Sequence, residues 1–214
     1  MILLISIGIL SGLFFSSTFI LNRLMSLEGG HWVWSASLRY AYMILFLTAL
    51  IAMFQGGRAT ERLWRVFLRH WTFWVISGSI GFGGFYSLIC FSADHSPGWV
   101  VATTWQLTIL ASLVVLMCFG RSFPKRIWFF SSIVFLGVLM VNLSQTDITN
   151  VKALLMGGFP VLLAAFCYPT GNQLVWEAKN PSSRMIPQIT SPLLDNVFTR
   201  VFLMSLGSLP VWIL

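Results

Sequence analysis

Residues 32–54 read WVWSASLRYAYMILFLTALIAMF, twenty-three residues that carry a single charge, Arg39. About 20 apolar residues in helical form cross a hydrocarbon core of about 30 Å. Lipid offers no partner to a backbone amide, so such a stretch must satisfy its own hydrogen bonds and is predicted to be a helix. Six further stretches meet the same test: 2–25, 71–91, 98–119, 127–143, 153–176 and 192–214. None alternates with period two, which argues against a barrel. The predicted fold is therefore all-α, a polytopic membrane protein with seven transmembrane helices.

Composition points the same way. Of 214 residues, 57% are hydrophobic and 9% charged, with a mean hydropathy of +0.84. Soluble domains are about 25% charged, so this chain cannot clothe a water-facing surface, and both a soluble enzyme and a disordered chain are excluded. The lipid bilayer is its first partner. Residues 2–25 have no basic leader and no small-x-small cleavage site, so they read as a retained helix rather than a secretory signal. Trp32, Trp34, Trp71, Trp74, Trp99, Trp128, Trp176 and Trp212 all fall near a proposed span end, the depth an amphipathic ring prefers. Cys90, Cys118 and Cys167 lie inside apolar runs and read as core-filling residues.

The net charge of +7 would suggest nucleic acid in a soluble protein. Here it sorts by loop. Arg58, Arg62, Arg65, Arg69, Arg121, Lys125, Arg126, Lys179 and Arg184 occupy alternate loops, whereas the intervening ones hold Glu28, Asp94, Asp147 and one base, Lys152. By the positive-inside rule the N-terminus is cytoplasmic and the expected location is a bacterial inner membrane, with no nucleic-acid partner. The arginines at 58, 62, 65 and 69 share one helical face beside Leu63, Trp64, Val66 and Phe67. That pattern predicts a short amphipathic helix on the cytoplasmic leaflet, drawn to anionic lipid.

A weak internal echo organises the spans. Asn22-Arg23-Leu24 recurs as Asn172-Gln173-Leu174, and Arg39 in the second span has a counterpart, Arg200, in the seventh. If 1–146 forms a five-helix unit, five being odd, a second unit over 147–214 enters from the opposite face. That is the inverted repeat of many secondary transporters, whose substrate sites lie near the midplane. Each arginine sits about eight residues inside its span, ~12 Å deep at ~1.5 Å per residue. From opposite faces of a core ~30 Å thick, the two come within ~6 Å in depth. Only two helices follow the repeat start, so the expectation is a truncated ten-helix protein, or one completed by a partner.

Charge inside a span opposes insertion by about 2.5–3.5 kcal/mol per residue, which makes intramembrane polar groups candidate site residues. Arg39 and Arg200 are candidate anion anchors or gating groups. Trp105 and Gln106, amid Thr103, Thr104, Thr108 and Ser112, offer a ring and an amide to a lipophilic cation. Tyr168 and Asn172, with Thr170 and Gln173, make the sixth span a cavity wall, kinked by Pro160 and Pro169. Asp195 is the candidate coupling acid. Ser77, Gly78, Ser79, Gly81, Gly83 and Gly84 predict close helix approach in the third span. His31, His70 and His95 all sit at span ends, and no HExxH or GxxxxGK[ST] motif occurs. An enzyme is thus not expected, nor a metal or any cofactor.

Two runs carry a resemblance: Phe14-Phe15-Ser16-Ser17-Thr18-Phe19-Ile20-Leu21-Asn22-Arg23 and Gly30-His31-Trp32-Val33-Trp34-Ser35-Ala36-Ser37-Leu38-Arg39-Tyr40. They resemble the multidrug-resistance efflux branch of the drug/metabolite transporter superfamily. The resemblance implies ten helices as two inverted five-helix repeats and movement of small molecules across a bacterial inner membrane. Asn22, Arg23 and Arg39 match its polar first-helix end and its second-helix arginine. Small four-helix exporters of the superfamily use a mid-membrane glutamate in helix one, and this chain has no acid there. The function expected is secondary export of small organic molecules or drugs, lipophilic or cationic, by alternating access; a homodimer is one arrangement open to it. The alternative is a non-transporting accessory or scaffold protein.

Overall fold

The computed structural model describes residues 2–145, 151–180 and 186–213, with the side chains at 145 and 151–154 outside it. Among these residues the chain is all-helical. The helices are α1 (Ile2–Leu27), α2 (Trp32–Gln55), α3 (Gly57–Arg69), α4 (Trp71–Gly78), α5 (Phe85–His95), α6 (Gly98–Trp105), α7 (Thr108–Cys118), α8 (Lys125–Gln145), α9 (Val151–Lys179) and α10 (Val197–Ile213). A π-turn, Ser79–Gly84, joins α4 to α5 as one helix. Five helical stretches are long and apolar enough to cross a membrane: Ile2–Leu27, Trp32–Gln55, Trp71–His95, Gly98–Cys118 and Lys125–Ser144. Helix α9 has the length, at 29 residues, but a polar second half, and α10 is a shorter apolar helix.

The helix running from Trp71 to His95 sits at the centre, against α9 on one side and α10 and α2 on the other. Its small residues permit this. A Cβ placed on Gly171 of α9 would lie 2.3 Å from the Gly81 Cα, and one on Gly207 of α10 only 1.9 Å from the Trp74 carbonyl oxygen. Backbones this close gain dispersion that lipid tails cannot supply, the usual cohesion of helices in membranes. The predicted small-residue surface of the third span is thus the bundle's seam. By contrast α1 buries only Phe19 and Asn22, and among the described residues of α8 only Ser131 is buried. Their exposed Leu, Ile and Phe side chains suit a lipid-facing position.

Helices α2 and α10 run antiparallel. Tyr40 stacks on Trp212 at 4.9 Å near one end, while Leu47 and Ile51 share a core with Leu203 and Trp74 near the other. At the Tyr40 end, where the α1–α2 turn with Glu28 also lies, the Arg23 guanidinium donates to the backbone carbonyls of Ala93 and Asp94. The opposite, basic end carries α3, Arg121 and Lys179. Helix α3 buries Ala59 and Leu63 against the bundle and leaves Trp64 and Leu68 half-exposed, with its arginines on a third face.

Several boundaries differ from expectation. The span drawn over 98–119 is broken at Gln106 and Leu107. The span drawn over 192–214 opens as a 3-10 turn, Pro192–Asp195, and its helix begins only at Val197. Asn196 starts that helix, its side-chain oxygen accepting from the Phe198 amide at 2.8 Å, a capping signal hidden inside an apolar window. Seventeen residues give α10 a length of ~25 Å. Arg200 therefore sits in its first turn rather than eight residues inside, and Asp195 precedes the helix. Cys90 is buried as expected, but Cys118 is exposed and fills no core. Asp147, Arg184, Leu214, the Lys152 side chain and the boundary between 146 and 147 lie outside the described residues.

Candidate functional site

Positions 168, 172 and 176 recur every four residues, so Tyr168, Asn172 and Trp176 form a row along α9. Across from them stand Ser112 and Leu116 of α7, also four apart, and Val197, Arg200, Val201 and Met204, one face of α10. With Phe82 of the π-turn they line a cavity of about 510 Å³. Small-molecule sites commonly run from 300 to 1,000 Å³, mostly apolar with a few polar groups, and this one fits that description. Asn172 donates to the Tyr168 carbonyl at 2.9 Å, and Ser112 to the Thr108 carbonyl at 2.6 Å. Both thereby spend a donor on their own helix.

At the basic end of the cavity a second cluster adjoins it. Glu177, 4% exposed, accepts from the Gln173 amide at 2.9 Å and faces Arg121 at 3.6 Å. The Arg121 guanidinium also lies over the Trp176 ring, 4.3 Å from its centroid. Gln173 and Trp176 both line the cavity, so the carboxylate is one residue removed from it on either side. A sequence span ending at 176 left Glu177 out. Its only signal was an acid four residues after Gln173, between Trp176 and Lys179.

The structure brings Tyr168, Asn172 and Arg200 together in this cavity. Trp105 stands behind it, packed on Tyr168 and Phe85 with ring centroids at 5.9 and 4.8 Å. Gln106 is exposed at the break between α6 and α7 and is not among the residues lining the cavity. Arg39 lies elsewhere, between α1, α2 and α5. It donates to the Tyr86 hydroxyl at 2.7 Å and stacks over that ring, and Tyr86 in turn donates to Asn22. The two guanidinium groups thus occupy separate surroundings. Asp195 is exposed and ion-paired with Lys179. Among the described residues no group of His, Cys, Asp and Glu is placed to hold a metal.

A family model described as "EmrE: Putative multidrug resistance efflux transporter" matches residues 2–214. The chain is 35% identical over 223 aligned positions to "Uncharacterized protein YjlA" of Bacillus subtilis (strain 168), covering 98% of this chain and 64% of that protein. It is 34% identical over 218 positions to "Uncharacterized 42.1 kDa protein in intracellular alkaline protease 3'region" of Shouchella clausii, covering 97% of this chain and 53% of that one. The chain therefore spans between half and two thirds of the length of these curated relatives. No solved structure shows a significant match. A family match over nearly the whole length, on a bundle whose helices suit lipid, leaves one assignment: the chain is a multi-pass membrane protein and belongs to the EmrE family of efflux transporters, within the drug/metabolite transporter superfamily.

Proposed function

We propose that the chain is a secondary transporter, or the greater part of one, that exports small organic molecules by alternating access. The observation that carries this reading is the cavity of about 510 Å³ between α7, α9 and α10. Its walls come from both sides of the repeat boundary drawn at 146, as an inverted-repeat transporter requires. In this reading α9 and α10 are the sixth and seventh crossings, and 147–214 opens a second unit. The opposite running of α2 and α10 supports that inversion. The basic end faces the cytoplasm of a bacterial cell, by the positive-inside rule. Coupling falls to an acid at that same end. Glu177, buried and bonded to cavity-lining Gln173, is the better-placed group than Asp195, which is exposed on Lys179.

Counterflow in proteoliposomes tests the proposal, with radiolabelled organic cations, organic anions and amino acids as probes. The wild-type chain should accumulate at least one class well above empty liposomes. Tyr168→Ala and Asn172→Ala should cut that uptake about tenfold, the scale of losing one good contact of about 1.4 kcal/mol. Uptake equal to empty liposomes for every class would return the chain to the accessory or scaffold reading.

A further inference from the structure

We infer that Arg200 anchors the acidic group of the substrate, so that the cavity takes organic monoanions, a carboxylate or sulfonate on an aromatic or aliphatic body, in preference to lipophilic cations. This rests on the transport reading and supplies its substrate class.

The place of Arg200 in the cavity wall, and charge accounting among the described residues, carry the inference. Arg200 is the only charged residue among those lining the cavity. Among the described residues the Arg200 guanidinium makes no ion pair and no side-chain hydrogen bond. The chain has six acids to offer it. Glu61 pairs with Arg65, Asp195 with Lys179, and Glu177 with Arg121. Asp94 is held by Ser26 and His95 at the other end of the bundle, where Glu28 also lies. Asp147 lies outside the described residues.

Arg200 is partly buried in the wall of the cavity, where a cation gains from an acid or a backbone carbonyl beside it. In the first turn of α10 the helix dipole also presents its positive end, which disfavours a cation there. Among the described residues the cavity thus bears one positive charge with no acid partner, in a wall that is otherwise uncharged. A bound monoanion would neutralise that charge. Guanidinium presents paired donors in a plane, the geometry a carboxylate or sulfonate accepts two at a time. Phe82, Tyr168 and Met204 supply the apolar surface for the rest of the molecule. A lipophilic cation would meet the same apolar surface but also like charge.

The test is a matched series on the full purified chain: 4-phenylbutyrate, 4-phenylbutyramide and 4-phenylbutylammonium, identical in body and different in charge. Equilibrium dialysis gives affinity, and proteoliposome uptake gives transport. The carboxylate should bind at least tenfold more tightly than the amide and the ammonium compound. Arg200→Gln should abolish that preference, and Arg200→Lys should retain part of it, since a point charge replaces a planar fork. Circular dichroism and gel filtration would establish that both variants fold. Binding that favours the ammonium compound, equal binding of all three, or no binding of any would overturn the inference. So would a preference that Arg200→Gln leaves intact. Uptake of an organic cation alone would refute the anion inference while leaving the transport proposal standing, whereas uptake of no probe would remove the proposal itself.

Discussion

Glu177 shows how a single residue can be invisible in sequence and prominent in structure. Hydropathy treats an acid as the end of a span, so the window over 153–176 stops one residue short of it. In three dimensions α9 continues to Lys179, and Gln173 and Arg121 take up the charge. Glu177→Ala would leave the buried Gln173 amide without this acceptor, at a cost of about 1.5–3 kcal/mol for a hydrogen bond to a charged group. Glu177→Gln keeps the shape and an acceptor oxygen and should cost clearly less. Thermal unfolding in detergent, followed by tryptophan fluorescence, would order the variants wild type, Gln, Ala; an Ala variant as stable as wild type would show that the contact contributes nothing. Arg39 makes the converse point. Its place within an apolar run was legible, but its use was not, because the Tyr86 hydroxyl and ring that hold it come from another helix.

At the scale of elements, legibility followed contrast. The arginines of α3 stand out against their neighbours every three or four residues, and the predicted amphipathic helix over 58–69 matches Gly57–Arg69 closely. Breaks inside spans had no such contrast. The π-helical segment at Ser79–Gly84 changes the hydropathy of its span little, so only its Gly and Ser content hinted at a break. The interruption at Gln106 falls in a polar patch that contains no Gly or Pro to mark a helix break. The seam those glycines form has a measurable consequence. A methyl group on Gly207 has no space beside the Trp74 carbonyl, 1.9 Å away. Gly207→Ala must therefore push α10 off the central helix, costing about 1–3 kcal/mol by the usual scale of overpacking, or more because backbone cannot yield as a side chain does. Gly137, on lipid-facing α8, meets nothing within 4 Å, and Gly137→Ala should leave the midpoint of thermal unfolding unchanged or slightly raised. Helix α3 permits a separate test. Its arginines are exposed, three of them beside Ser191, Pro192 and Leu193, so in nanodiscs phosphatidylglycerol should stabilise the chain over phosphatidylcholine. Arg62→Gln with Arg69→Gln should remove about 1 kcal/mol of that difference per arginine. Equal stability in both lipids would make α3 a solvated connector.

Across the whole molecule, net charge sorts by end, although Glu61, Glu177 and Asp195 pair with bases at the basic end and Arg23 bonds at the other. Arg58, Arg62, Arg65, Arg69, Arg121 and Lys179 gather at one end of the bundle, and Glu28 and Asp94 at the other. The sequence could be read this far because loop charge and helix length are summed over many residues and tolerate errors of a few positions. Site geometry depends on individual side chains meeting across α7, α9 and α10, and no sum over sequence contains it. The same segregation yields a prediction about orientation. Insertion places basic loops on the cytoplasmic side, since moving several guanidinium groups across the core costs far more than leaving them behind. In a chain with Cys90, Cys118 and Cys167 replaced by Ser, a cysteine at Ser122, next to Arg121, should react with a membrane-impermeant maleimide only in inverted vesicles. One at Glu28 should react only in intact cells. Both sites lie outside the spans, so neither substitution disturbs packing and the two readings control for one another. Labelling of Ser122→Cys from outside the cell would reverse the assigned orientation, and with it the assignment of the Glu177 and Arg121 cluster to the cytoplasmic mouth of the cavity.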